Sequence, residues 1–288
     1  MRVRVPLKSE LPVRHPCRTR ATASGSYYDA FVEPVRYALS LENEVLPWGG
    51  PAPGYLLWAG DRIALVDYAD APQITHASEC PEADCILKMK YLGRYQAEYD
   101  ASPIPVIPAG YVLADAPWVL ANLDRLRASH DAGGHTVQVQ SRGLFQPSRK
   151  YAKVGYSARQ VFRDANPKLV RPSLPRDAWM DEVAKSRFGL HVSGVGGSID
   201  RKFVQFAAIG VPVLASKGIF DLILPGGRRL IEGVDAYRLE DGEDVLARVK
   251  RITDSERTRS TAALRSLFDT TFHPKALARR YLEQMALS

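Results

Sequence analysis

The stretch from Arg187 to Ser216, RFGLHVSGVGGSIDRKFVQFAAIGVPVLAS, decides how this chain folds. FGLHVS is a short apolar run with β-branched content and GVGGS is a glycine loop. IDRKFVQFAAI is an amphipathic run that stops at Gly210, and VPVLAS is a second buried-strand pattern. The succession predicts a βαβ unit, with Ser198 as the helix N-cap and Gly210 followed by Pro212 as its stop. Phe203, Val204, Ala207 and Ala208 should face the sheet. Arg201 and Gln205, one turn apart, share another face with Ser198, and that face is left for a ligand.

Arg201 and Lys202 fall in the first turn of this helix, where the macrodipole already places partial positive charge. An anion docked there removes the conflict. A glycine loop running into a helix N-terminus suits phosphate, because its N–H groups point outward and no Cβ blocks approach. Gly194, Gly196, Gly197 and Ser198 are therefore expected to line a phosphate site with Arg201 and Lys202. The structural alternative is two solvated basic residues beside a loop. The spacing is not that of the dinucleotide-binding fingerprint.

From Asp177 onward, DAWMDEVAKSRFGLHVSGVGGSIDRKFVQFAAIGVPVLAS resembles the donor-binding half of GT-B glycosyltransferases, especially the small families related to CgeB, exostosin and the protein O-glucosyltransferases. Those families order a helix, a strand, a glycine loop, an arginine, a glutamate-bearing helix and G-x-P-V in the same way. The resemblance implies an α/β chain of two Rossmann-like domains, with a reduced N-terminal acceptor-side domain and a C-terminal domain that binds a nucleotide-sugar. It also implies a donor diphosphate held by the loop and Arg201, with the ribose near Gln205, which stands where the families carry glutamate. Glutamine still hydrogen-bonds but brings no charge. Arg149 and Lys150 are further candidates for the donor phosphates, and His191 can either donate to a phosphate or sit neutral against the sheet.

A second resemblance lies upstream, in VDYADAPQI, ADCILKMKYLGRY and PIPVIPAGYV. CgeB-like enzymes carry a strand ending in two aspartates, then a strand with a basic cluster and a tyrosine, then a proline-rich run. Asp67, Asp70, Lys88 and Tyr91 occupy the matching places. Read structurally, Asp67 and Asp70 cap the next element, while Lys88 and Lys90 are exposed strand residues.

The other elements follow by pattern. RVRVPLK alternates like an edge strand, YYDAFVEPVRYALSLENEV holds a helix interrupted at Pro34, and GYLLWAG and RIALVDYAD read as two strands. PWVLANLDRLRASH has helical periodicity, and DAGG after it marks the expected boundary between domains 1–133 and 134–288. HTVQVQS, YSARQVFRDAN, KLVRPS and AWMDEVAKS, the last capped by Asp177, then alternate as strand and helix into the central unit. Helices are expected at Asp241–Ile252, Ser255–Phe268 and Pro274–Leu287, and the resemblance implies that the last returns to the N-terminal domain.

The chain of 288 residues is 45% hydrophobic, enough for a buried core. No apolar run approaches the roughly 20 residues a membrane helix needs, and the basic N-terminus lacks the apolar centre of a signal peptide. No membrane span is expected, and the location is read as cytoplasmic. Cys17, Cys80 and Cys85 have neither zinc-ribbon nor CxxC spacing and read as idle thiols. The net charge of +7 is concentrated. Met1 to Arg20 carries six Arg or Lys against Glu10, and Arg142 to Arg171 carries eight against Asp164, so the remainder is acidic. Such blocks suit a diphosphate or a polyanion, so nucleic acid stays among the partners.

The six histidines show no HExxH or paired spacing, which sets zinc chemistry aside. Ser193 and Ser198 lack a nucleophile elbow, and the loop lacks the ending of a P-loop. The resulting expectation is a metal-independent, cofactor-free transferase that moves a sugar from a nucleotide-sugar to a hydroxyl on a saccharide, a protein or a modified nucleic-acid base. Positive charge would stabilise the departing diphosphate. An inverting reaction also needs a carboxylate base, for which Asp67 and Asp70 are the candidates. The alternative is a non-catalytic nucleic-acid binder on a glycosyltransferase-like scaffold.

Overall fold

Apolar runs of the chain pair into two separate sheets in a computed structural model that describes residues 1–11, 32–50, 56–67, 74, 82–142, 157–193, 199 and 201–287. In chain order the elements are β1 (Arg2–Arg4), α1 (Glu33–Ser40), β2 (Glu44–Leu46), β3 (Leu56–Ala59), β4 (Arg62–Asp67), β5 (Cys85–Lys88), α2 (Gln96–Asp100) and β6 (Val106–Pro108). Then come α3 (Ala116–Asp131), β7 (Val137–Gln140), α4 (Ser157–Ala165), α5 (Arg176–Ala184), β8 (Ser186–His191) and α6 (Arg201–Ile209). The chain continues with β9 (Val213–Ser216), β10 (Tyr237–Leu239), α7 (Val245–Lys250), α8 (Asp254–Leu267) and α9 (Pro274–Leu287). Two compact units result, both α/β. One comprises Met1–Pro117, Ile223–Arg228 and Thr271–Ser288, the other Trp118–Leu222 and Arg229–Thr270.

The second unit is built on a parallel sheet of order β10-β9-β8-β7. Alternation along β8 sends Phe188, Leu190 and Val192 to one face, where they join Phe162 of α4, Val245 and Val249 of α7, and Val139, Leu214 and Leu239 of the other strands. Gly189 points to the opposite face, and a Cβ there would meet the Phe206 ring of α6 at 2.8 Å. The strand glycine is thus the clearance that lets α6 lie close on the sheet. Helix α6 ends at Gly210, whose φ of +92° is the left-handed stop the sequence suggests. Arg127 and Arg265 then donate to the carbonyls of Ala208 and Ile209, each at 2.8 Å, satisfying groups the helix end leaves open.

On the face of α6 expected to meet a ligand, Arg201 is exposed and Gln205 is buried. Phe203 through Ile209, Gln205 included, are all buried, because α8 packs against the helix on the side away from the sheet. KLVRPS is not a strand. Asn166 binds Phe162 O, Glu243 O and Val245 N through its side chain, and the chain makes a tight turn at Pro167–Leu169. Asp177 is not the cap of α5 either: Pro175 precedes the helix and Asp177 pairs with its neighbour Arg176. The designed-looking caps lie further on, where Asp244 accepts from Leu246 N and Ala247 N, and Thr253 with Glu256 forms a capping box.

The first unit has a mixed sheet of order β2-β1-β3-β4-β5-β6. The N-terminal strand is not an edge: β1 lies between β2, to which it is parallel, and antiparallel β3. The pairing arises because Glu44–Leu46, three residues beyond the end of α1, forms a short strand that a local pattern does not announce. Pro34 does not interrupt α1 but sits in its first turn, where a missing N–H costs nothing. Helix α9 packs on α1 and β4, with Arg279 paired to Glu42 and the buried Tyr281 hydroxyl 3.8 Å from Met89 Sδ.

Candidate functional site

Parallel strands deliver their last residues to one edge of the sheet, and in the second unit those residues come from β8 and β9. Beyond β8, Ser193 is 7% exposed, and at the end of β9 Ser216 is 4% exposed. The Ser193 N–H donates to Ser216 Oγ at 2.9 Å, and the two hydroxyl oxygens are 2.6 Å apart. His191, the last residue of β8, is buried with its ring edge-on to Phe203 at 5.9 Å.

Among the described residues helix α6 runs from Arg201. Arg201 is exposed and makes no hydrogen bond or ion pair among the described residues. A turn later, the Gln205 amide is 6% exposed and likewise makes no hydrogen bond among them. Lys202 behaves differently. Its ammonium donates to Arg142 O at 2.6 Å and lies 6.0 Å from the Trp179 ring centroid, so it ties α6 to the end of β7. Arg142 in turn places Nε 2.7 and 2.8 Å from the two Glu182 oxygens, and Gln140 donates to the same carboxylate at 2.9 Å. Burial works to raise the Glu182 carboxyl, and the bonds from Arg142 and Gln140 outweigh it and hold it below the usual range. The first charge of the second basic block is therefore neutralised within the fold.

Gly194, Gly196, Gly197, Ser198, Arg149, Lys150 and Asp70, all expected at the site, lie outside the described residues. In the first unit, Asp67 and Lys88 are register partners at the ends of β4 and β5 and form an ion pair of 2.6 Å. Lys88 and Lys90 are fully buried rather than exposed, and Asp67 is 3% exposed. Tyr99 packs on Tyr91 with ring centroids 4.2 Å apart. Burial, with smaller contributions from Glu98, Tyr91 and Asp67 in that order, pushes the Tyr99 hydroxyl up to about 12 against the hydrogen bond from Leu92 N–H.

The sequence pattern points to Ser193 only as a rejected nucleophile and singles out neither Ser216 nor Glu182. The available signal was a small hydroxyl residue closing each of two adjacent apolar strands, in HVS and LAS. Among the described residues no group of three or more His, Cys, Asp or Glu side chains gathers as a metal site, and no helix is long and apolar enough to cross a membrane.

No protein-family model and no curated protein sequence matches the chain. Solved structures do resemble it. A crystal structure of Anabaena Alr3699/HepE in complex with UDP and glucose is 14% identical, covering 77% of this chain and 71% of that one with a TM-score of 0.49. A glycosyltransferase from Rickettsia africae is 13% identical, covering 78% and 70% with a TM-score of 0.48. At such values the function of this chain has to be argued from its own residues.

Proposed function

We propose that the protein is a nucleotide-sugar-dependent glycosyltransferase whose second unit binds the donor diphosphate at the carboxyl ends of β8 and β9. The observation that carries this reading is Arg201. An exposed cation without a partner among the described residues occupies the first position of a nine-residue helix, the end where the backbone already presents positive charge. Such an arrangement is unfavourable when empty and favourable around an anion. The motif resemblance gives the anion a chemical identity, a diphosphate carried by a nucleotide-sugar. In this reading Arg201 stabilises the charge that gathers on the departing diphosphate, and Gln205 offers an amide to the ribose hydroxyls.

The acceptor is a hydroxyl on a saccharide, a protein or a modified base. Of the two carboxylates expected as base, Asp67 is held by Lys88, and taking a proton would sever a buried pair. The reading therefore gives Asp67 a positioning role and leaves the base to Asp70. A nucleic-acid binder without catalysis is the weaker alternative, because Arg2 and Arg142 of the two basic blocks are paired with Glu44 and Glu182.

Calorimetry with ADP, GDP and UDP tests the reading. At least one should bind, and Arg201→Ala should weaken it by about tenfold or more, the value of a charge-assisted contact to phosphate. Binding that is indifferent to Arg201→Ala would place the diphosphate elsewhere.

A further inference from the structure

The two hydroxyls at the strand ends have one hydrogen more than the described residues around them accept. Between them Ser193 and Ser216 hold two O–H hydrogens. One is used in the 2.6 Å contact that joins them. If Ser193 donates in that contact, Ser216 Oγ accepts both the Ser193 hydroxyl and the Ser193 N–H, and its own hydrogen is left over. If Ser216 donates, the leftover hydrogen is that of Ser193. Either way, no other acceptor among the described residues takes it, and both side chains are more than nine-tenths buried. A buried donor left unmade costs free energy, and buried polar groups in native proteins are almost always satisfied.

We infer that Ser193 and Ser216 act as one oriented donor for a phosphate oxygen of the bound diphosphate. The inference rests on the donor-site reading above and adds two residues to it. Three features select an anionic oxygen as the missing acceptor. The pair delivers a single donor, so it is suited to an oxygen with lone pairs and no hydrogen of its own. It lies at the carboxyl ends of adjacent parallel strands, where ligands of open α/β sheets bind. The segment between β8 and β9 also carries Arg201, a cation with no partner among the described residues. Ser193 N–H to Ser216 Oγ fixes the geometry before a ligand arrives, so little ordering remains when the ligand binds.

The test is binding of ADP, GDP and UDP, each beside its parent nucleoside, to the wild-type chain and to Ser216→Ala and Ser193→Ala. Melting temperatures of the two variants, and of Ser216→Thr, which keeps the hydroxyl, report on folding. For a diphosphate that binds the wild type, each alanine variant should weaken binding by about tenfold, the nucleoside should be unaffected, and Ser216→Thr should recover most of the loss. A purely structural role would lower nucleoside and diphosphate binding together. Diphosphate affinity unchanged in both alanine variants, with Arg201→Ala still weak, overturns the serine assignment and leaves the donor site standing. Failure of all three diphosphates to bind the wild type overturns both.

Discussion

The two units each end a set of parallel strands in polar residues, and they complete those ends in opposite ways. At β4 and β5 the chain places a carboxylate opposite an ammonium, Asp67 against Lys88 at 2.6 Å, and buries both. At β8 and β9 it places Ser193 and Ser216, then Arg201 and Gln205, with no counter-charge among the described residues. The first end is electrostatically closed. The second shows, among the described residues, a hydroxyl hydrogen and a cation without partners, and this contrast underlies the proposal that the first end is structural and the second binds the ligand.

The sharpest way to break the comparison is to open the closed end. Lys88→Met leaves Asp67 buried without its cation and should cost about 3–5 kcal/mol of stability. Lys88→Met combined with Asp67→Leu removes both charges and should recover most of that loss, because replacing a buried pair by apolar groups is often neutral. Urea denaturation of the single and double variants measures both. If the single variant is as stable as the wild type, the pair is not what closes this end.

The next effect belongs to the start of β7 and β8. His130 is buried, its ring 4.9 Å from that of His135, and its Nδ1 is 3.2 Å from Ala184 O. Burial first, then the neighbouring His135, pushes the His130 imidazole down to about 4, and Arg265 acts in the same direction against Asp131 and the Ala184 carbonyl. His135 is lowered too, by burial and by Arg257 and Arg187. With the folded value below the unfolded one, the unfolded chain binds more protons between the two. Stability is therefore full above about pH 6.5 and falls as pH drops toward 4, by roughly 3 kcal/mol for His130. Denaturation midpoints of wild type and His130→Leu, followed from pH 7 to 4, should converge. Parallel curves would exclude His130 as their cause.

The βαβ unit was legible because its signals are local: a β-branched run, a helical period, then glycine and proline as stops. Much of the rest depends on partners distant in sequence. Nothing near Arg2–Arg4 announces that Glu44–Leu46 will cover its open edge, so β1 reads as an edge and folds as an interior strand. Lys88 and Lys90 alternate with apolar residues as solvent-facing lysines do, and the arrival of Asp67 from β4, distant in sequence, helps make burial of Lys88 tolerable. Arg201 and Gln205 were visible as site candidates, whereas the serine pair was not. Two serines separated by 23 positions become one donor only when β8 and β9 are set side by side.

A smaller effect tests how tightly the open end is held. Gly189→Ala puts a methyl against the Phe206 ring, and with the nearest atoms at 2.8 Å either α6 or the ring has to move. Overpacking of this kind should cost about 2 kcal/mol. Phe206→Leu in the same chain should return part of it, so the two substitutions together should cost less than the sum of each alone. Strict additivity in a double-mutant cycle would mean that the glycine serves the strand rather than the approach of α6.

The smallest expected effect comes from making the open end resemble the closed one by half. Gln205→Glu installs a carboxylate at a position 6% exposed, with no lysine opposite it among the described residues. Burial disfavours the charged form, while Arg201 one turn earlier favours it, and the two oppose each other in a single helix. The orientation, with the cation on the N-terminal side, is the weaker one for such a pair, and burial should win by about 1 kcal/mol at neutral pH. The sign follows: a raised folded carboxyl leaves the variant as stable as the wild type at pH 4 and less stable as pH rises to 7. Urea midpoints at the two pH values read this directly. A variant more stable than the wild type at pH 7 would show that a cation already reaches Gln205, and the second strand end would then be closed like the first.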